Sequence, residues 1–420
     1  MITIKPFQGY LPPPELAKIV SSPPYDILSS EEARLFIKNN SNSFLRVIKP
    51  ESDFEPNHKV DSETLHLHAA MNLETYMRTG KLIQDQQPCL YIYQIANAGH
   101  TQTGIISAVS IRDYNEGFIK KHEHTRPDKE DERTMHIEIT NANTGPVFLT
   151  FRNDSEFQNK ISDVILQQPD IMFQAEDHSN HRLWRITNKI TIDNLIAYFS
   201  NIPSLYIADG HHRAASAARV QKIRMLDNSN HHGDEPYNYF MAAIFPHDEV
   251  HILGYNRVVK DLGGLTQDQF FKLIQQKFTL KPLSKGLIPV NRHTFTMHFR
   301  KKWYELEAKN KIISSDSVLR LDVSILQNHL LEPVLGIDDP RTNNRIDFVG
   351  GIRGLDGLEI RCKLDSELAF ALYPVSINEL LKVADENKVM PPKSTWFEPK
   401  LRSGLIVRSL NKGFYKKMNS

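Results

Sequence analysis

The sequence predicts an α+β fold built on a mixed sheet. Short apolar strands recur through the chain without strict alternation with helices, which disfavours a doubly wound parallel sheet. The residues richest in chemistry, Ser204 to Arg219, read as strand, tight turn and helix. No GxxxxGK[ST] loop and no GxGxxG after a strand is present, so the common nucleotide-binding folds have no support.

Taken in order, the first thirty residues or so are punctuated by Pro12-Pro13-Pro14 and Pro23-Pro24-Tyr25-Asp26, which keeps them extended. Ser29 and Glu32 stand at capping-box spacing and start a helix that runs to about Asn39. Asp61 to Thr79 predicts a second helix, with Leu65, Ala69, Leu73 and Met77 on one face and Gly80 as its stop. His66 and His68, two apart, cannot share a face and are expected at the surface. Residues 89–95 and 103–111 form a strand pair turning at Asn97-Ala98-Gly99. Residues 128–140 are highly charged and mildly helical, and Val147 to Phe151 is an apolar strand. Arg182 to Ile186 alternates as a half-buried strand, and a helix from about Ile190 to Phe199 leads into the central strand.

Leu205 to Ala208 is that strand, too short for a helix; Asp209-Gly210 signals a turn, and Ala214 to Val220 has high helix propensity. The joint holds Asp209, Gly210, His211, His212 and Arg213. A helix start offers free N–H groups and a positive dipole end, Arg213 adds a planar fork, and Gly210 admits close backbone approach. Phosphate binding and phosphoryl handling is one reading of the joint. An ordinary helix cap in a solvated loop is the other.

Beyond it, Leu226 to Tyr237 is a polar loop. Strands are expected at Tyr239 to Phe245, Ile252 to Val259, Thr294 to Arg300 and Trp303 to Ala308. Helices are expected at Thr266 to Lys277 and at Val318 to Leu331, the second a core helix in which His329 packs.

Composition narrows the function. With 51 Lys+Arg against 50 Asp+Glu the net charge is +1, which argues against a nucleic-acid partner. No window reaches ~18 consecutive apolar residues, which argues against a membrane span. Cys89 and Cys362 stand far apart and the N-terminus lacks a signal-peptide layout, so a cytoplasmic setting is expected. Oligomeric state is not readable.

Three further clusters carry polar groups. His122-Glu123-His124-Thr125 offers a His-x-His pair, but no further ligands for a structural metal are evident, and Glu123 reads better as a catalytic carboxylate. Asp338 to Gly354 combines arginines with Gly350-Gly351; an anion clamp and surface salt bridges both fit. Met390 to Gly404 sets Lys393, Ser394 and Thr395 among rigid prolines, either as an anion pocket or as a packing loop.

Together PPYD, HEHT, ADGHHRAASAAR, RVVKDLGG, RIDFVGGIRGL and MPPKSTWFEPKLRSG resemble a family described only as a domain of unknown function. That family is similar to the free serine kinases of the ParB/sulfiredoxin-like fold. The resemblance runs from Pro6 to about Val407 and implies a ParB/sulfiredoxin-like core with N- and C-terminal extensions. Residues 1–88 are then a helical and proline-rich segment, 89–260 the catalytic core, and 261–420 an α+β region closing the active site. The implied activity is phosphoryl transfer to free L-serine, giving O-phospho-L-serine, a step of serine metabolism and cysteine biosynthesis. Pyrophosphate is favoured as donor, with ADP or ATP open, and Mg²⁺ is the implied cofactor. Glu123, Asp209 and His211 are the expected catalytic residues, with Asp209 also the metal ligand. Gly210, His212 and Arg213 are expected to bind phosphate, and Lys393, Ser394 and Thr395 to line the pocket for substrate carboxylate or donor phosphate. A non-catalytic nucleotide-binding regulator and a phosphoserine phosphatase remain as alternatives.

Overall fold

In the computed structural model, which describes residues 1–56 and 58–411, the chain forms two compact units. The first takes residues 1–120 and 125–250 together with the segment from Pro399 onward; the second takes Lys121–His124 and His251–Glu398.

The first unit is organised on a mixed sheet, as its irregular strand pattern predicts. From one edge the strands run Ile119–Lys120, Leu205–Asp209, Val147–Phe151, Tyr239–Pro246, His100–Ser110, Leu90–Asn97, Asn180–Ile186 and Ile171–Gln174. Two of these pairings are parallel, Leu205–Asp209 with Ile119–Lys120 and Tyr239–Pro246 with Val147–Phe151; the others are antiparallel. The expected hairpin is present, and Ala98 and Gly99 at its tip both have positive φ, the geometry of a two-residue turn matched to strand twist.

Phe151, Phe157 and Phe199, all fully buried, meet edge to face beneath the sheet, with Phe151 5.5 Å from each of the other two rings. His181 is buried with Nδ1 2.8 Å from the Tyr93 hydroxyl and Nε2 2.8 Å from Ser179 Oγ. Burial, with Arg402 beside it, pushes its pKa down to about 3.

The helix Ser30–Asn39 begins at Ser29 with the expected capping box. In the helix Ser62–Arg78, Ala69, Leu73 and Met77 are buried as the spacing requires. One expectation is overturned there: His66 is 3% exposed, because its face packs inward with Ala69 and Leu73, while His68 turns outward and pairs with Asp53 at 2.8 Å. The C-terminal segment returns to this unit through backbone pairing of Ser22 with Ser403 and of Tyr10 with Val407.

The second unit holds an antiparallel sheet ordered Phe278–Leu283, Lys302–Ala308, Thr294–Phe299, Leu368–Leu372, Tyr255–Val259 and Ile346–Gly350. The pairing of Thr294–Phe299 with Lys302–Ala308 follows the alternation read from the sequence. The helix expected at Val318 to Leu331 is present from Asp322 to Leu335, with a π-turn at Gln327–Leu331 within it. His329 on it is half-buried. No helix among the described residues is long and apolar enough to cross a membrane.

Gly104 sits mid-sheet, where a Cβ would meet Ile244 O and lie 2.6 Å from the Phe245 ring. Gly104→Ala should therefore destabilise the chain by about 1–3 kcal/mol through overpacking. Denaturant unfolding at matched m-value checks this, and an unchanged midpoint would mean the strands relax without cost.

Candidate active site

The strand Leu205–Asp209 is buried through Ala208, and its register against Val147–Phe151 slips between Ile207 and Asp209. A bulge of this kind re-aims the side chains that follow it. Gly210 then takes φ +96°, a left-handed conformation that strains any residue with a Cβ, and a 17-residue helix starts at His211. Ala214, Ala215 and Ala217 of that helix are buried, and Ser216 Oγ donates to Glu130 O at 3.0 Å on the neighbouring helix Pro127–Thr140. Small side chains let the two helices approach closely.

Each residue of the joint has a definite place. Asp209 Oδ2 accepts from Lys400 Nζ at 2.9 Å. His211 is buried. His212 Nε2 accepts from the backbone N–H of Arg126 at 3.0 Å, which leaves the proton of the neutral ring on Nδ1. Arg213 Nη1 donates to Pro146 O at 2.7 Å, and its guanidinium carbon lies 5.4 Å from the centre of the Tyr25 ring. Among the described residues it pairs with no carboxylate.

Beside the joint, within the first unit, lies a small open cleft lined by Tyr25, Arg133, His136, Thr144, Gly145 and Arg213. A Cβ on Gly145 would stand 3.1 Å from Ser403 Oγ and 3.7 Å from Arg213 Nη1, so its backbone is open to both. The Arg133 guanidinium lies 4.1 Å from the Tyr25 ring centre and pairs with Glu132. Burial alone would raise the Glu132 carboxyl, but Arg133 and Lys129 hold it down to about 2. Burial raises the Tyr25 phenol, with Asp26 adding to it, so the hydroxyl keeps its proton at neutral pH. His136 Nε2 is 3.1 Å from Thr144 Oγ1. Burial first, then Arg133 and His66, keep the His136 imidazole neutral well below its ordinary range.

The first unit thus gathers Asp209, Gly210, His211, His212 and Arg213. Glu123 is half-buried and belongs, with Lys393, Ser394 and Thr395, to the second unit. There Lys393 has φ +56° and its ammonium lies 5.5 Å from the Tyr255 ring centre. Ser394 is buried and donates its hydroxyl proton to Pro391 O at 2.6 Å; Thr395 is half-buried.

Sequence reading missed Tyr25, Arg133, His136, Lys400 and Ser403. Tyr25, Lys400 and Ser403 lie inside motifs already marked by the resemblance. Arg133 and His136 stand three apart in a stretch read only as charged, and that spacing on a helix places both on one face.

The chain belongs to the family described as a protein of unknown function, DUF1015, whose model matches residues 4–324. A search of the curated proteins found none that matches. Among solved structures it is similar to a free serine kinase mutant in complex with AMP, at 12% identity and TM-score 0.34, over 70% of this chain and 87% of that one. It is similar also to SbnI with a C-terminal truncation from Staphylococcus aureus, at 13% identity and TM-score 0.37, over 73% and 89%. A conserved hypothetical protein from Pyrococcus furiosus aligns at 10% identity and TM-score 0.34, over 71% and 93%. Likenesses this distant carry nothing about the reaction.

The depressed pKa of His136 fixes a sign. A histidine kept neutral by folding binds protons better when unfolded, so its contribution is present above pH ~6.5 and is lost as pH falls below that. The thermal midpoint should therefore drop from pH 7 to pH 5, and His136→Gln should flatten part of that slope. An identical slope in the variant would show that His136 is not a source of it.

Proposed function

We propose that this protein is a phosphotransferase that moves a phosphoryl group onto the hydroxyl of free L-serine, giving O-phospho-L-serine. The observation that carries the reading is Arg213, delivered by the bulge and the left-handed Gly210 to a cleft, where its guanidinium pairs with no carboxylate among the described residues. A cation so placed suits a multiply charged phosphate. The six sequence blocks supply the choice of serine, and pyrophosphate remains the favoured donor, with ADP or ATP open.

Phosphoryl transfer asks the protein chiefly for positioning and charge neutralisation. Arg213, the Gly210 turn and the start of the helix His211–Asp227 hold the donor phosphates. His212, held through Nε2 by the Arg126 N–H, is the further phosphate-binding residue, and His211 joins Asp209 as a catalytic one. The serine oxygen forms its bond to phosphorus as the bridging oxygen of the donor leaves, and Glu123 takes the hydroxyl proton as base. Lys393, Ser394 and Thr395 of the second unit remain the proposed substrate-binding triplet, with Ser394 giving its own proton to Pro391 O.

Mg²⁺ would neutralise the donor's oxygens. Asp209 would hold such an ion in competition with Lys400 on Oδ2, with donor phosphates and water among the other ligands.

The direct test incubates the protein with L-serine, Mg²⁺ and, in turn, pyrophosphate, ADP and ATP; absence of phosphoserine with every donor sinks the proposal. Arg213→Lys should lower kcat by about 10²–10³, the usual loss for one transition-state contact. Its thermal stability should fall by only about 0.5–1.5 kcal/mol, the worth of the bond to Pro146 O. Activity within about threefold of wild type would remove Arg213 from the phosphate site, since a contact of this kind is worth far more.

A further inference from the structure

Resting on the serine-kinase reading, we infer that Arg133 and His136 form the seat for the acceptor's carboxylate, with Tyr25 holding the guanidinium in plane. Both residues project from one face of the helix Pro127–Thr140, three positions apart, and both line the cleft. Each presents a buried nitrogen that finds no hydrogen-bond partner among the described residues, Arg133 Nε and His136 Nδ1. Their side chains are well enclosed, the residues being 6% and 2% exposed. Buried N–H groups are almost always paired, so two orphans on one helix face beside one cleft mark the position of a missing acceptor. In the tautomer in which the Thr144 hydroxyl donates to His136 Nε2, the ring proton sits on Nδ1 and both orphan nitrogens are donors.

The charge balance selects the class of anion. Arg133 already meets Glu132 through Nη2, and His136 is neutral, so little positive charge is left over at the seat. That suits a monoanion. Arg213 has no such compensation among the described residues and suits phosphate, so the two arginines divide the cleft between an acceptor's carboxylate and a donor's phosphates. Stacking on Tyr25 at 4.1 Å fixes the plane in which the Arg133 N–H groups point. The ligand class is therefore a small α-amino acid with a free carboxylate. A hydroxyl compound lacking that group, or carrying it as an amide, leaves the buried donors unmet and loses about 10–100-fold in affinity.

Calorimetric titration of the full-length protein tests this without turnover. L-serine, L-serinamide and ethanolamine are titrated with and without saturating pyrophosphate, and pyrophosphate is titrated separately. Wild type should bind L-serine about 10–100-fold more tightly than either analogue. Arg133→Gln should abolish that preference while leaving pyrophosphate affinity within about threefold, less than the loss of one charged contact. Equal binding of L-serine and L-serinamide to wild type overturns the inference, as does the absence of L-serine binding, and neither outcome depends on a variant that folds. An equal loss of serine and pyrophosphate binding in Arg133→Gln also overturns it, by assigning the seat to phosphate. If serine binds through Arg133 but no donor yields phosphoserine, the seat stands and the kinase reading falls. If L-serinamide is phosphorylated as fast as L-serine, the kinase reading stands and the seat falls.

Discussion

The close approach of the helices His211–Asp227 and Pro127–Thr140 is the constraint on which the cleft depends. Ala214, Ala215 and Ala217 are all buried, and none carries a side chain long enough to hold the neighbouring helix away. Arg213 from one helix and Arg133 from the other consequently lie within 5.4 and 4.1 Å of the same Tyr25 ring centre. Two guanidiniums against one ring repel, and the Tyr25 ring and the Glu132 carboxylate offset part of that cost.

Local chemistry made much of the scaffold legible. The Ser29 capping box, the Ala98-Gly99 turn and the strand–turn–helix at Leu205 each depend on neighbours a few residues away, and each forms where the pattern places it. The bulge at Ala208 was not legible, because it is a property of pairing with Val147–Phe151 and leaves no mark in the strand's own composition. Long-range packing likewise decided the fate of His66. Its helical face was readable, but the residues that cover that face come from elsewhere in the chain.

The candidate site divides the same way. Asp209 to Arg213 were conspicuous as polar groups crowded behind an apolar strand. Arg133 and His136 were hidden in a run where nearly every residue is charged, and what distinguishes them is burial rather than type. Lys400 was visible as a cation in a proline-rich loop, yet its partner Asp209 stands 191 positions earlier. No local spacing encodes such a pair.

The returning C-terminal segment adds a temporal dimension. Arg402 Nη2 donates to Ser21 O across 381 positions of sequence, and Arg408 clasps Pro236 O, Tyr239 O and Asn143 Oδ1. Contacts of such separation form slowly, since a long loop must close before they contribute anything. On the ribosome, the first 250 residues emerge with the sheet strands complete but without Lys400, Ser403 or the Arg408 clasp. The nascent protein therefore carries the cleft's arginines well before Ser403, so the lining of the cleft is completed as one of the last events of synthesis.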